Sequence, residues 1–266
     1  MIRDIATELL DALDRDALIP TITGRDPAFD VDAAYRVSAE ILRRRQARGE
    51  QPIGRKVGFT NRTIWAEYGV SSPIWAHVYD STVSYCDQPS GSLRIGHLAQ
   101  PRLEPEVIFH FKSVPRETDD ERELLSHVDW IAHGFEIAQC RFPDWSFRVA
   151  DTVAAFGLHG ALVVGPRRPV DGLSDIVHAL RTFTVALKKH GQTALHGRGS
   201  DVLGSPLLAL GHFLTMLKDP AFLADAEKLR LRVIATTGEE MTALLNRAYQ
   251  TPPDIVKRTI KALGRN

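Results

Sequence analysis

The 266-residue chain balances 33 Lys and Arg against 33 Asp and Glu, with 44% hydrophobic and 25% charged residues. Those proportions are globular and exclude collagen-like, disordered and coiled-coil chains. A formal net charge of zero removes any global electrostatic attraction to nucleic acid or an anionic membrane, so neither partner is expected.

Residues 1–52 read as a helical region. Leu9, Leu10 and Leu13 recur at helical spacing, and a second helix begins at Asp30 or Asp32, either of which can cap it. Its apolar stripe is Ala34, Val37 and Ile41, and Gly49 and Pro52 end it. The early acids Asp4, Glu8, Asp11 and Asp14 stand where a signal peptide needs an apolar run, so a cytoplasmic location is expected. The basic cluster Arg43–Arg45 with Arg48 reads as a solvated helix face.

From residue 53 the chain breaks into short alternating segments, and the expected class is α+β. Strands are expected at 53–60, 103–111, 134–141, 160–164, 183–187 and 231–237, and helices near 61–68, 121–133, 172–181 and 206–217. Asp171 or Ser174 is read as the start of the third helix, and Ser205 before Pro206 as the start of the fourth. Lys189-His190-Gly191-Gln192 reads as a hairpin turn. The apolar run 203–217 is interrupted by Gly204, Pro206, Gly211 and His212 and is too short to span a bilayer. Cys86 and Cys140 have no zinc-type spacing and read as reduced thiols.

Chemistry concentrates in three segments. In Leu103-Glu104-Pro105-Glu106-Val107, strand alternation sets Glu104 and Glu106 on one face, and Pro105 marks an edge or an opening. A solvated acidic edge is the plain alternative. Glu136 sits among Phe135, Ile137 and Ala138 with no basic neighbour in sequence, so its carboxylate needs a partner. Three carboxylates meeting would make an all-oxygen site for Mg²⁺ or Mn²⁺. In Gly54-Arg55-Lys56-Val57-Gly58-Phe59-Thr60, alternation puts Lys56, Gly58 and Thr60 together, with a lysine suited to hold a carboxylate or transfer a proton. The alternative is a surface lysine on an edge strand.

These segments, with Pro-Ile-Trp-Ala-His-Val-Tyr-Asp at 73–80, Phe-Pro-Asp-Trp at 142–145, Leu-Gly-Ser-Pro-Leu at 203–207 and Thr-Thr-Gly at 236–238, carry a resemblance. In that order the chain resembles the 2-keto-4-pentenoate hydratase and 4-oxalocrotonate decarboxylase branch of the fumarylacetoacetate hydrolase superfamily, over residues 1–238. The resemblance implies a mixed β-roll at 53–238, a homo-oligomer, Mg²⁺ or Mn²⁺, and a small 2-oxo or 2-hydroxydienoic acid as substrate. It implies Glu104, Glu106 and Glu136 as metal ligands and Lys56 as the proton-transfer or carboxylate-binding residue. Asp80 falls at the family's acidic position beside the site, with turn capping as the alternative. Thr236, Thr237 and Gly238 correspond to the loop over the substrate carboxylate, and Thr60 joins them as a substrate contact.

His159 stands where related hydratases carry small polar residues and is a candidate to tune substrate size or donate a proton. His133 reads as a helix-end histidine, and Phe142, Trp145 and Phe147 as core. Residues 239–266 depart from the family pattern and read as a helical tail. The expected activity is hydration of 2-hydroxypenta-2,4-dienoate or a close relative to a 4-hydroxy-2-oxo acid. Decarboxylation of a 4-oxalocrotonate-type diacid is the alternative, favoured by an extra cation among Arg55, Arg62, Arg102 and Arg141. The altered tail keeps open a third reading, a catalytically impaired keto-acid-binding paralogue or partner subunit.

Overall fold

Helix and strand mix in chain order. The computed structural model describes residues 1–115, 118 and 120–217. The expected strand at 231–237, the residues Thr236, Thr237 and Gly238, and the helical tail at 239–266 lie outside the described residues.

Three helices open the chain, α1 (Ile2–Asp14), α2 (Ile22–Arg25) and α3 (Val31–Ala47). Asp30 is the cap of α3, its carboxylate accepting from Ala33 N at 2.8 Å. The stripe Ala34, Val37 and Ile41 is buried against α1, where Leu9 and Leu10 are buried too. These side chains share one core with Cys140, Phe142 and α6 (Val149–Ala154), a helix the sequence reading lacks. Asp151 locks that junction: fully buried, it accepts from Thr23 N at 2.9 Å, Thr23 Oγ1 at 2.6 Å and Arg148 N at 2.9 Å.

Among the described residues the strands form one five-stranded sheet and two strand pairs. In the large sheet the order is β3 (Val83–Tyr85), β6 (His159–Val164), β5 (Val128–Ala138), β4 (Arg102–Phe111), with β7 (Arg168–Pro169) also on β5. β4–β5 and β5–β6 are antiparallel, and β3–β6 is parallel. β1 (Pro52–Gly58) pairs antiparallel with β2 (Ile74–Tyr79), and β8 (Thr184–Lys189) with β9 (Gln192–Arg198). The turn joining β8 to β9 is His190-Gly191, both at positive φ (51° and 80°), as a two-residue hairpin with primed-turn geometry requires. β2 accounts for the 73–80 motif.

One expected helix is corrected. Residues 121–133 divide into α5 (Glu121–Ser126), capped by Asp120, and the first half of β5. Leu124 and Leu125 carry the helical pattern, but from Val128 the chain is β-branched and aromatic and continues into the 134–138 segment. His133 therefore sits on a strand, exposed, and not at a helix end. α4 (Trp65–Tyr68) lies between β1 and β2, and α7 (Ile176–Thr182) and α8 (Pro206–Leu217) follow α5 and α6. α7 starts after Asp175, which adopts φ 55°, and not at Asp171 or Ser174. Ser205 does start α8, its Oγ accepting from Leu207 N at 3.2 Å. Among the described residues no helix is long and apolar enough to cross a membrane.

Candidate active site

The β4–β5 ladder sets Glu104 directly opposite Glu136, and Glu106 opposite Gly134. Alternation gives all three carboxylates one face. One oxygen from each lies within 4.8 Å of the others. Gly134 is needed at its position, since a Cβ there would lie 2.6 Å from Val163 O and 2.4 Å from Ile108 Cδ1.

Lys56 reaches the cluster from β1. Its Nζ donates to Glu136 Oε2 at 2.5 Å, with the side chains only 15% and 3% exposed. Glu136 Oε1 lies 2.7 Å from His159 Nδ1. The His159 ring is 2% exposed, and its Nε2 lies 2.9 Å from Thr82 Oγ1. A left-handed turn delivers His159 to β6: Phe156, Gly157 and Leu158 have φ of 61°, 58° and 62°. Gly157 fits there because a Cβ would meet Ala76 Cβ at 2.6 Å, with Lys56 Cδ at 3.9 Å. Two bulky residues held in this region by their surroundings are a strained device beside a site.

The charges do not titrate alike. Burial pushes the Glu136 carboxyl up, but the Lys56 charge and the His159 hydrogen bond outweigh it and hold Glu136 below the usual carboxylate range. Burial disfavours the Lys56 ammonium, yet Glu136 and then Glu104 hold it above the ordinary lysine value. Glu104 is raised, first by burial and then by Glu136, against the pull of Lys56 and Arg102. Glu106 is pushed up to about 8, by burial first and then by Glu136 and Glu104, against Lys56. Without a further cation the cluster is an ionised Glu136–Lys56 pair beside two carboxyls that resist ionising together.

Among the described residues no donor hydrogen-bonds the carboxylates of Glu104 or Glu106. That leaves their acceptor capacity for a cation. Oxygens around a Mg²⁺-sized ion lie about 3–4 Å apart, so the 4.8 Å span closes with a small rotamer adjustment. The donor set fits a hard divalent ion.

The remaining candidates disperse. Asp80 is exposed and caps a turn: its Oδ1 accepts from Gln51 N at 3.0 Å and Ser81 N at 2.8 Å. Thr60 is half-buried, its carbonyl accepting from Leu203 N at 3.0 Å. Of the four arginines, Arg102 shares the face of Glu104, with its guanidinium 3.9 Å from the Trp145 ring centroid. Arg55 lies over Trp75 on the opposite face of β1 from Lys56, Arg62 lies over Trp65, and Arg141 is buried beside Leu13 and Asp16. Phe142 is fully buried core, as expected. Thr82 was missed in the sequence, because a lone Thr after a Tyr-Asp-Ser turn carries no local signal of a partner on another strand.

No protein-family model matches the chain. It is 33% identical to 2-hydroxyhexa-2,4-dienoate hydratase of Comamonas testosteroni over 203 residues, covering 76% of this chain and 75% of the relative. The chain belongs to the 2-keto-4-pentenoate hydratase and 4-oxalocrotonate decarboxylase branch of the fumarylacetoacetate hydrolase superfamily. A 2-hydroxypent-2,4-dienoate hydratase of Pseudomonas putida is 30% identical to this member of the branch over 224 residues, 80% of this chain and 97% of the relative. The fold matches 4-oxalocrotonate decarboxylase from Pseudomonas putida G7, solved with magnesium and adipate, at TM-score 0.73 and 24% identity, covering 81% of this chain and 80% of that one.

Proposed function

We propose that the protein is a divalent-metal-dependent hydro-lyase that adds water to 2-hydroxypenta-2,4-dienoate or a close relative, giving a 4-hydroxy-2-oxo acid. The convergence of Glu104, Glu106 and Glu136 within 4.8 Å, with Lys56 on Glu136, carries the reading. The hydratase names of the two relatives support the reaction class, and the magnesium in the solved decarboxylase supports the metal. Mg²⁺ or Mn²⁺ is the proposed ion, held by one oxygen from each of the three glutamates. A cation there supplies Lewis acidity toward the 1-carboxylate and 2-oxygen of the substrate.

The chain's own groups do the rest. The Lys56 ammonium, kept protonated by its acidic neighbours, holds the substrate carboxylate or hands a proton to C5 of the dienol. Protonation at C5 with loss of the 2-hydroxyl proton leaves a 2-oxo-3-enoate whose C4 is electrophilic; water then adds, its hydroxyl to C4 and its proton to C3. His159 and Lys56 fix Glu136 between them, so the carboxylate is oriented before substrate arrives. Asp80 holds the turn that carries Thr82, and so assists from outside the cluster. Thr60, with Thr236, Thr237 and Gly238, completes the substrate contacts in this reading. It further takes residues 53–238 as the catalytic unit closing into a β-roll, in a cytoplasmic homo-oligomer.

One observation favours a second reading, decarboxylation of a 4-oxalocrotonate-type diacid. Arg102, with no carboxylate in ion-pair distance among the described residues, lies on the face of Glu104 and could hold a distal carboxylate. Incubation with Mg²⁺ and each substrate separates the cases. Loss of dienol absorbance with water incorporated, abolished by chelator, is the expected result. Release of CO₂ from the diacid alone would transfer the assignment to decarboxylase, and binding of either acid without turnover would make the protein an impaired paralogue.

A further inference from the structure

Glu136 is held by a chain of groups that runs away from the site, and its far end is Thr82. The residue sits on a single turn (Asp80–Thr82) between β2 and β3. Its Oγ1 lies 2.9 Å from Tyr79 O and also 2.9 Å from His159 Nε2, so the one hydroxyl is within hydrogen-bond distance of both. The opposite ring nitrogen, Nδ1, lies 2.7 Å from Glu136 Oε1. An imidazole has a broad, roughly two-fold ring torsion, and at 2% exposure no bulk water can replace a lost partner. The Thr82 hydroxyl therefore selects the ring orientation that turns Nδ1 to Glu136. Backbone pairing keeps the two elements in step: β3 begins at the next residue, with Val83 in register with Leu162 of β6, the strand that His159 opens.

We propose that Thr82 is a positioning residue for the metal centre, acting through His159 to hold the Glu136 carboxylate in its ligating orientation. The inference rests on the metal reading above and adds to it a residue two hydrogen bonds from the ligand Glu136. Direct partners of a metal ligand, as His159 is of Glu136, typically change metal affinity by about 10–100-fold, so a group acting through one belongs at the low end of that range.

The test is calorimetric titration of Mn²⁺ into the chelator-treated full chain, with no substrate present. Thr82→Val, which keeps the shape and removes the hydroxyl, should bind Mn²⁺ about tenfold more weakly. Thr82→Ser, which keeps the hydroxyl, should bind within about twofold of the parent. Thermal unfolding of each metal-free protein identifies a variant that does not fold; should Thr82→Val fail, Thr82→Ala carries the same comparison against Thr82→Ser. Unchanged affinity in the hydroxyl-less variant, or equal weakening in both, overturns the inference while the metal reading stands. A parent protein that binds no Mn²⁺ overturns both.

Discussion

Two isosteric substitutions, Glu106→Gln and Glu136→Gln, should move the stability of the metal-free protein in opposite directions while both abolish tight metal binding. With its carboxyl at about 8, native Glu106 is mostly protonated at pH 7, whereas in the unfolded chain it titrates near 4.5 and is ionised. A group whose folded pKa is raised this way loses stability as pH climbs from 4.5 towards 8; by pH 7 the loss is about 3 kcal/mol, at about 1.4 kcal/mol per pH unit. Glutamine does not titrate, so Glu106→Gln removes that loss and should stabilise the metal-free protein, by up to about 3 kcal/mol. Glu136 is the reverse case. It is ionised, buried and paired with Lys56, and removing one partner of such a pair costs about 3–5 kcal/mol. Urea denaturation at pH 7 in excess chelator reads both. Mn²⁺ titration should show each variant more than about 100-fold weaker, beyond the range of outer-shell changes. If Glu106→Gln destabilises as much as Glu136→Gln, the division of charge in the cluster is wrong. If either variant binds Mn²⁺ like the parent, the cluster is not the metal site.

Four further outcomes follow from the same geometry. Because Glu106 holds a proton below about pH 8, Mn²⁺ binding at pH 6.5 should release about one proton and tighten as pH rises; titrations in buffers of different ionisation enthalpy measure it, and zero release contradicts it. Gly157→Ala forces a left-handed Cβ to 2.6 Å from Ala76 and should cost about 2–3 kcal/mol in denaturation, with a weaker site because the Lys56 stem is the next neighbour. Asp151→Ala strands the donors of Thr23 and Arg148 in the core and should destabilise by about 3 kcal/mol without changing the Mn²⁺ affinity of the folded protein. Arg102→Gln should lower kcat/KM for a diacid and spare the dienoate; equal loss on both would deny Arg102 a part in selecting a distal carboxylate.

The carboxylate cluster was legible because it depends on the simplest rule of strands. Alternation joins Glu104 to Glu106, and a lone acid in an apolar strand such as Glu136 demands a partner. The register that brings Glu104 opposite Glu136 is a tertiary fact, set by pairing along ten- and eleven-residue strands. Lys56 read equally well as a surface residue, since no local pattern says that β1 leans over β5. His159 reaches Glu136 only through three successive left-handed residues, two of them Phe and Leu, which by type argue against such a turn. The 190–191 hairpin was legible because Gly191 supplies the positive φ that its geometry needs, with the motif contained in four residues. At 121–133 the helical period ended at His127 and strand propensity took over, a boundary that two adjacent leucines obscured.

The central claim is that three glutamates hold one hard cation which in turn binds a 2-oxo acid headgroup. Crystals of the chain soaked in Mn²⁺ and pyruvate, measured at the manganese edge, test it most directly. The account predicts one anomalous peak about 2.1 Å from an oxygen of each of Glu104, Glu106 and Glu136, with the pyruvate carboxylate and 2-oxygen on its open side. A peak at other residues, or none with Glu136 still paired to Lys56 and His159, would contradict it.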